Sequence, residues 1–158
     1  MIERTVDIPT RDGATTTFIV HPERGGAHPV IVFYMDAPAI REELRDMARR
    51  LASAGYYVML PNLYYRSGVM EIWPLADEAA RKRMFELMET LSIPKIMDDT
   101  RGLLKFVDHD PAGDRDQPRA HRTGACVEAF DVAPGSYQGL LDDVLGPAAV
   151  ARSEAQGV

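Results

Sequence analysis

The sequence predicts an α/β fold, and three observations carry that prediction. First, Val30–Tyr34 and Tyr56–Leu60 are short apolar runs rich in β-branched and aromatic residues, as in strands buried on both faces. Second, Arg41–Ala54 between them sets Leu44, Met47, Ala48, Leu51 and Ala52 along one helical stripe. Third, Gly55 stands where a left-handed helix cap favours glycine, and Pro61 stops the second run. Two strands joined by one helix pair in parallel with a right-handed crossover, which makes residues 29–66 a βαβ unit.

The rest of the chain attaches to this unit in order. Ile2, Val6 and Ile8 fall at even spacing among charged residues and read as a strand. Thr10-Arg11-Asp12-Gly13 is a turn signal, and Thr15–Val20 is a second strand, so the two form an antiparallel hairpin at the edge of the sheet. His21–His28, with Pro22, Gly25 and Gly26, is the loop leading into the βαβ unit. Met35-Asp36-Ala37-Pro38 breaks the strand that precedes it. Ser67–Pro74, with Met70, Ile72 and Trp73, is too apolar for a plain solvent loop. It either packs down over the sheet or forms a lid over a pocket at the carboxyl ends of the strands.

Leu75–Leu91 reads as a helix with Ala80, Met84, Leu87, Met88 and Leu91 on one face. Asp77, Glu78, Arg81, Lys82, Arg83 and Glu86 make its solvated face. Ser92 is placed to cap a further helix with Pro94 in its first turn. That helix runs to about Asp108 and is expected to bury Ile96, Met97, Thr100, Leu103, Leu104 and Val107.

Composition narrows the classes of function. At 158 residues one domain is the default, and a hydrophobic fraction of 46% can supply its core. The net charge of −6 comes with no basic run, which argues against nucleic acid as a partner. No stretch approaches the roughly 20 apolar residues of a membrane span. The N-terminus has no apolar signal core, and the single cysteine excludes an internal disulfide, so a reducing cytoplasm is the expected location. His21, His28, His109 and His121 are scattered, with no metal-ligand spacing, and no metal is expected. The loop Asp36–Ile40 has no glycine to cradle phosphate, and no GxGxxG or Walker sequence occurs, so a nucleotide cofactor is not expected either.

The strand IVFYM, the acidic loop residue Asp36, the helix segment MARRLASAGY and the strand end LPNLYYR together resemble the early part of the dienelactone hydrolase family, a branch of the α/β-hydrolases. The resemblance covers about residues 1–110. It implies an incomplete α/β-hydrolase sheet, with an antiparallel N-terminal hairpin followed by parallel βα units. It also implies acyl transfer from small, often carboxylate-bearing esters or lactones, without a cofactor. By the same resemblance, the Ala37 backbone N–H contributes to the oxyanion hole. Asp36 stands for the acid that contacts the resting nucleophile, a change from the family's glutamate. Arg81 matches a substrate-facing arginine, although read from its neighbours alone it belongs to a solvated helix face.

The pattern then breaks. A family member continues with an apolar strand and an elbow of the form G-x-C-x-G-G or G-x-S-x-G, whose glycines let strand and helix approach. Gly124-Ala125-Cys126 matches the G-x-C half, but Glu128 and Ala129 stand where the glycines belong, and the preceding run RAHRT is polar and basic. Cys126 is therefore either a nucleophile in a degenerate elbow or an incidental cysteine. The fold's triad runs nucleophile, acid, histidine, yet Asp131, Asp142 and Asp143 follow Cys126 and no histidine does. All 8 methionines lie at or before Met97, and the last isoleucine is Ile96. These shifts divide the chain into residues 1–114, the N-terminal part of a hydrolase-like domain, and residues 115–158, a divergent tail such as a frameshift or premature end would leave. Ser136–Leu145 could form one amphipathic helix within that tail.

Two readings follow. One is a dienelactone hydrolase, truncated or damaged and weakly active or inactive as written, because a complete triad is lacking. The other is a non-catalytic α/β domain that binds a small ligand or a protein partner. An unpaired sheet edge invites self-association, and the binding reading expects a defined assembly.

Overall fold

The computed structural model describes residues 1–116, all within the compact unit Met1–Ala120. The hairpin opens the fold as expected. Strand β1 (Ile2–Thr10) pairs antiparallel with β2 (Gly13–His21), and the register Thr10↔Gly13 leaves Arg11 and Asp12 as the turn. Strand β3 (His28–Val32), helix α1 (Glu42–Ser53) and strand β4 (Tyr57–Pro61) form the βαβ unit, with β3 and β4 parallel. Gly55 adopts φ 102°, the left-handed conformation read from the sequence. A single 3-10 turn (Tyr65–Ser67), helix α2 (Glu78–Glu89) and helix α3 (Ile93–Val107) follow. A short strand β5 (Gly113–Asp114) pairs parallel with β3. The sheet order is β1-β2-β4-β3-β5, a mixed sheet with helices, so the α/β class holds.

Alternation along the strands divides the core between the two faces. Val58 and Leu60 of β4 join Phe18 and Val20 beneath Leu44, Ala48 and Ala52 of α1. Tyr57 and Met59 point the other way and join Ile8, Ile19 and Val30 beneath Leu103 and Val107 of α3. Helix α3 is held close to β1 by Gly102, where an added Cβ would lie 2.8 Å from the Pro9 carbonyl oxygen.

Several details differ from the sequence reading. The stripe of α1 is narrower, since Met47 is 49% exposed while Leu44, Ala48 and Ala52 are buried. Strand β3 sits two positions earlier than the apolar run suggested, because His28 and Pro29 gain a partner in β5. Helix α2 starts at Glu78 rather than Leu75, because the Asp77 side chain caps it by accepting from the Ala80 N–H at 2.7 Å. Ser92 does occupy the N-cap of α3, but its side chain makes no capping bond. Within α3, Asp99 is buried at 1% exposure on the face where only apolar residues and Thr100 were expected. Its carboxylate takes both Arg66 Nη atoms at 2.8 Å and the Tyr65 hydroxyl at 2.8 Å, which satisfies the charge in place. Among the described residues no helix is long and apolar enough to cross a membrane.

Candidate active site

In open α/β sheets, ligands bind beyond the carboxyl ends of the parallel strands. Here that end is built by the segments leaving β3 and β4. The Phe33 N–H donates to the Met59 carbonyl at 2.7 Å, and the chain then leaves the sheet. It turns at once, with the Ala39 N–H donating to the Asp36 carbonyl at 3.1 Å. Ala39 takes φ 70° while fully buried. For a residue with a Cβ, that conformation costs roughly 1–2 kcal/mol, so the surroundings must hold it.

They do so from two sides. Ala39 bridges Glu71 of the loop after the 3-10 turn. The buried Tyr64 donates its hydroxyl to the Ala37 carbonyl at 3.0 Å. Tyr64 is fixed in turn by Asn62, whose Oδ1 accepts the Tyr64 N–H at 3.0 Å and whose Nδ2 donates to the Val69 carbonyl at 2.8 Å. The segment LPNLYYR thus carries the wall against which the Asp36 loop is set. The Ala37 N–H meets no acceptor among the described residues.

The Asp36 carboxylate is half exposed and is forked by Arg41, with Nη2 to Oδ2 at 2.7 Å and Nη1 to Oδ1. Arg41 also donates to the Ala39 carbonyl at 3.4 Å and lies 5.6 Å from the centre of the Trp73 ring. The hydrogen bond to Asp36 raises the Arg41 pKa further. Behind the loop, Thr100 gives its proton to the Ile96 carbonyl at 2.7 Å, so the Tyr34 hydroxyl donates to Thr100 Oγ1 at 2.7 Å. Burial pushes the Tyr34 and Tyr64 pKa values up, and the Asp36 charge adds to the shift at Tyr64.

The loop 67–74 follows the packing alternative. Val69 and Ile72 rest against the core, while Met70 and Trp73 stay 41% and 47% exposed. Asp36 and Ala37 therefore stand together beyond β3. Arg81 is exposed on α2, where its Nε donates to the Asp77 carbonyl at 3.3 Å within the first turn of the helix. Cys126, Gly124, His121 and the Ser136–Leu145 segment lie outside the described residues. Sequence reasoning missed the parts played by Arg41, Tyr64 and Trp73. An arginine five residues after a loop aspartate, at the mouth of a helix, was the available signal for the first of them.

Two clefts among the described residues lie at the other end of the strands. One of about 360 Å³ is bounded by Arg4, Phe106, His109, Asp110 and Pro111. There Asp110 is already engaged by Arg4 and by the Tyr57 hydroxyl at 2.5 Å.

The sequence profile of the dienelactone hydrolase family matches residues 15–128. The chain belongs to the dienelactone hydrolase family. The match runs past the residue-110 limit of the resemblance read from the sequence, and its span includes Cys126. A Methylorubrum extorquens protein with the provisional name carboxymethylenebutenolidase is 28% identical over 126 residues, which is 80% of this chain and 41% of that protein. A Pseudomonas putida carboxymethylenebutenolidase is 22% identical over 111 residues, 70% of this chain and 47% of that protein. The fold is likewise that of a provisionally named dienelactone hydrolase crystal structure from Klebsiella pneumoniae. Its TM-score is 0.62 at 22% identity, with 72% of this chain and 46% of that one covered. The chain spans less than half the length of these relatives.

Proposed function

We propose that this dienelactone hydrolase family chain carries the oxyanion half of a site for small carboxylic esters or lactones. The observation that carries the reading is the Ala37 N–H, left without an acceptor among the described residues in a loop braced by Tyr64 and Asp36. In the reaction a thiolate attacks the acyl carbon, and the carbonyl oxygen becomes an oxyanion that receives the Ala37 N–H. The alcohol leaves and the acyl group stays on sulfur as a thioester. Water then releases the acid with a histidine as base. Cys126 is the thiol of this proposal, Asp36 its acidic neighbour and Arg81 the residue for the substrate's far end. Residues 115–158 form the divergent part, where no histidine follows Cys126. The chain by itself is therefore weakly active or inactive in turnover.

Incubation of the purified chain with an activated acetate ester, followed by mass spectrometry, tests this. Acylation at Cys126 with release of the alcohol but turnover near the buffer rate is the expected result. Absence of acylation removes Cys126 from its role, and rapid turnover lost in Cys126→Ala overturns the inactivity. A second reading, an α/β domain that binds a small ligand or a partner without chemistry, is favoured by one observation. Arg41 already pairs with the Asp36 carboxylate among the described residues. Unacylated protein would favour that reading.

A further inference from the structure

We propose that Arg41 is the positioning residue of the oxyanion loop, acting through Asp36 and coupled to Trp73. The inference deepens the hydrolase reading above and rests on it for the meaning of the loop. Three contacts come from one guanidinium, two of them to the loop 36–39 and one to Trp73. Arg41 forks the Asp36 carboxylate, reaches the Ala39 carbonyl at 3.4 Å, and covers the Trp73 ring at 5.6 Å. Its side chain is only 16% exposed, although its charge would favour water. The loop it closes contains the left-handed Ala39 and the Asp36–Ala39 turn, so the Asp36–Ala37 peptide lies within the segment being held.

The direction of the Ala37 N–H therefore depends on a side chain outside the loop's own turn. A fork of two parallel donors fixes direction as well as distance, which a point charge does not. Arg41 also joins this loop to the one that carries Trp73. The Ala39–Glu71 bridge links the same two loops through the backbone. Arg41 is thus placed to hold the donor still while its guanidinium stays against the Trp73 ring.

Trp73 is the single tryptophan of the 158-residue chain, so its emission reports on this place alone. Hydrogen exchange on the full chain, read by peptide mass spectrometry, tests the positioning directly. In Arg41→Ala and in Asp36→Asn, exchange at residues 36–40 is expected to rise about tenfold or more, with α1 unchanged. Trp73 emission is expected to shift in both variants, including Asp36→Asn, which leaves the arginine in the chain. Arg41→Lys, which keeps the charge without the fork, is expected to exchange as fast as Arg41→Ala. It also decides the matter, together with Asp36→Asn, should Arg41→Ala fail to fold. Wild-type protection in Arg41→Lys, or unchanged Trp73 emission in Asp36→Asn, would overturn the inference. A chain that shows the coupling but never becomes acylated loses the hydrolase reading alone. One that is acylated without the coupling loses only the role given to Arg41.

Discussion

Ala39 shows how tightly a single position is specified in the Asp36 loop. Its φ of 70° already disfavours any side chain, and its full burial leaves no room for a larger one. A β-branched replacement meets both obstacles at once. Ala39→Val is expected to lower stability by about 1–3 kcal/mol, chiefly through overpacking, since Ala39 already bears the left-handed strain. Urea unfolding measures the loss, and a change below the error of that method would show that the loop relaxes freely. Asp36, by contrast, is specified by its partner. Its carboxylate is half exposed, and the Arg41 fork gives it one direction.

At the scale of elements, the contact between α3 and β1 rests on a residue that is a poor helix former. Gly102→Ala would gain up to about 1 kcal/mol of helix propensity. The new Cβ would stand 2.8 Å from a backbone oxygen of Pro9, which cannot swing aside as a side chain end can. The clash wins, and a net loss of about 1–2 kcal/mol in thermal or urea unfolding is expected. A gain in stability would mean that α3 slides along β1 at little cost. The three helices and the first four strands were legible in the sequence, because each carries its own pattern, whereas the two-residue β5 carries none. Leu44, Ala48 and Ala52 needed only spacing to be placed, and Gly55 only its position after the stripe. Long-range pairing was not legible. Met47 fits the α1 stripe by spacing, yet it stays 49% exposed. Asp99 reads as a solvent residue until Arg66 and Tyr65 arrive from another part of the chain. The same holds at the site. Asp36 and Ala37 were read from local pattern and resemblance, whereas Tyr64 gains its meaning only by reaching back to the Ala37 carbonyl.

Over the whole described fold, four tyrosines tie separate elements together, and all four share a direction of titration. Burial raises the pKa values of Tyr34, Tyr57, Tyr64 and Tyr65 above the ordinary 10.0. Each is an acid whose folded form resists ionisation. The unfolded chain therefore gives up these protons first as pH rises. Their contribution to stability is complete below pH 10, and it is lost as pH climbs from there through the higher folded values. Ultraviolet absorbance should show tyrosinate from these four appearing together with loss of helix by circular dichroism. Tyrosinate from all four with helix intact would refute the linkage. The strand order β1-β2-β4-β3-β5 carries a consequence for a nascent chain. During synthesis β3 emerges before β4, yet β4 must enter between it and the hairpin. Until Tyr57–Pro61 have left the ribosome, the inner edge of β2 has no partner and β3 has no place. Tyr64 follows within the same few residues, so the β2-β4-β3 pairing and the Tyr64 brace of the Asp36 loop become possible at one point of translation.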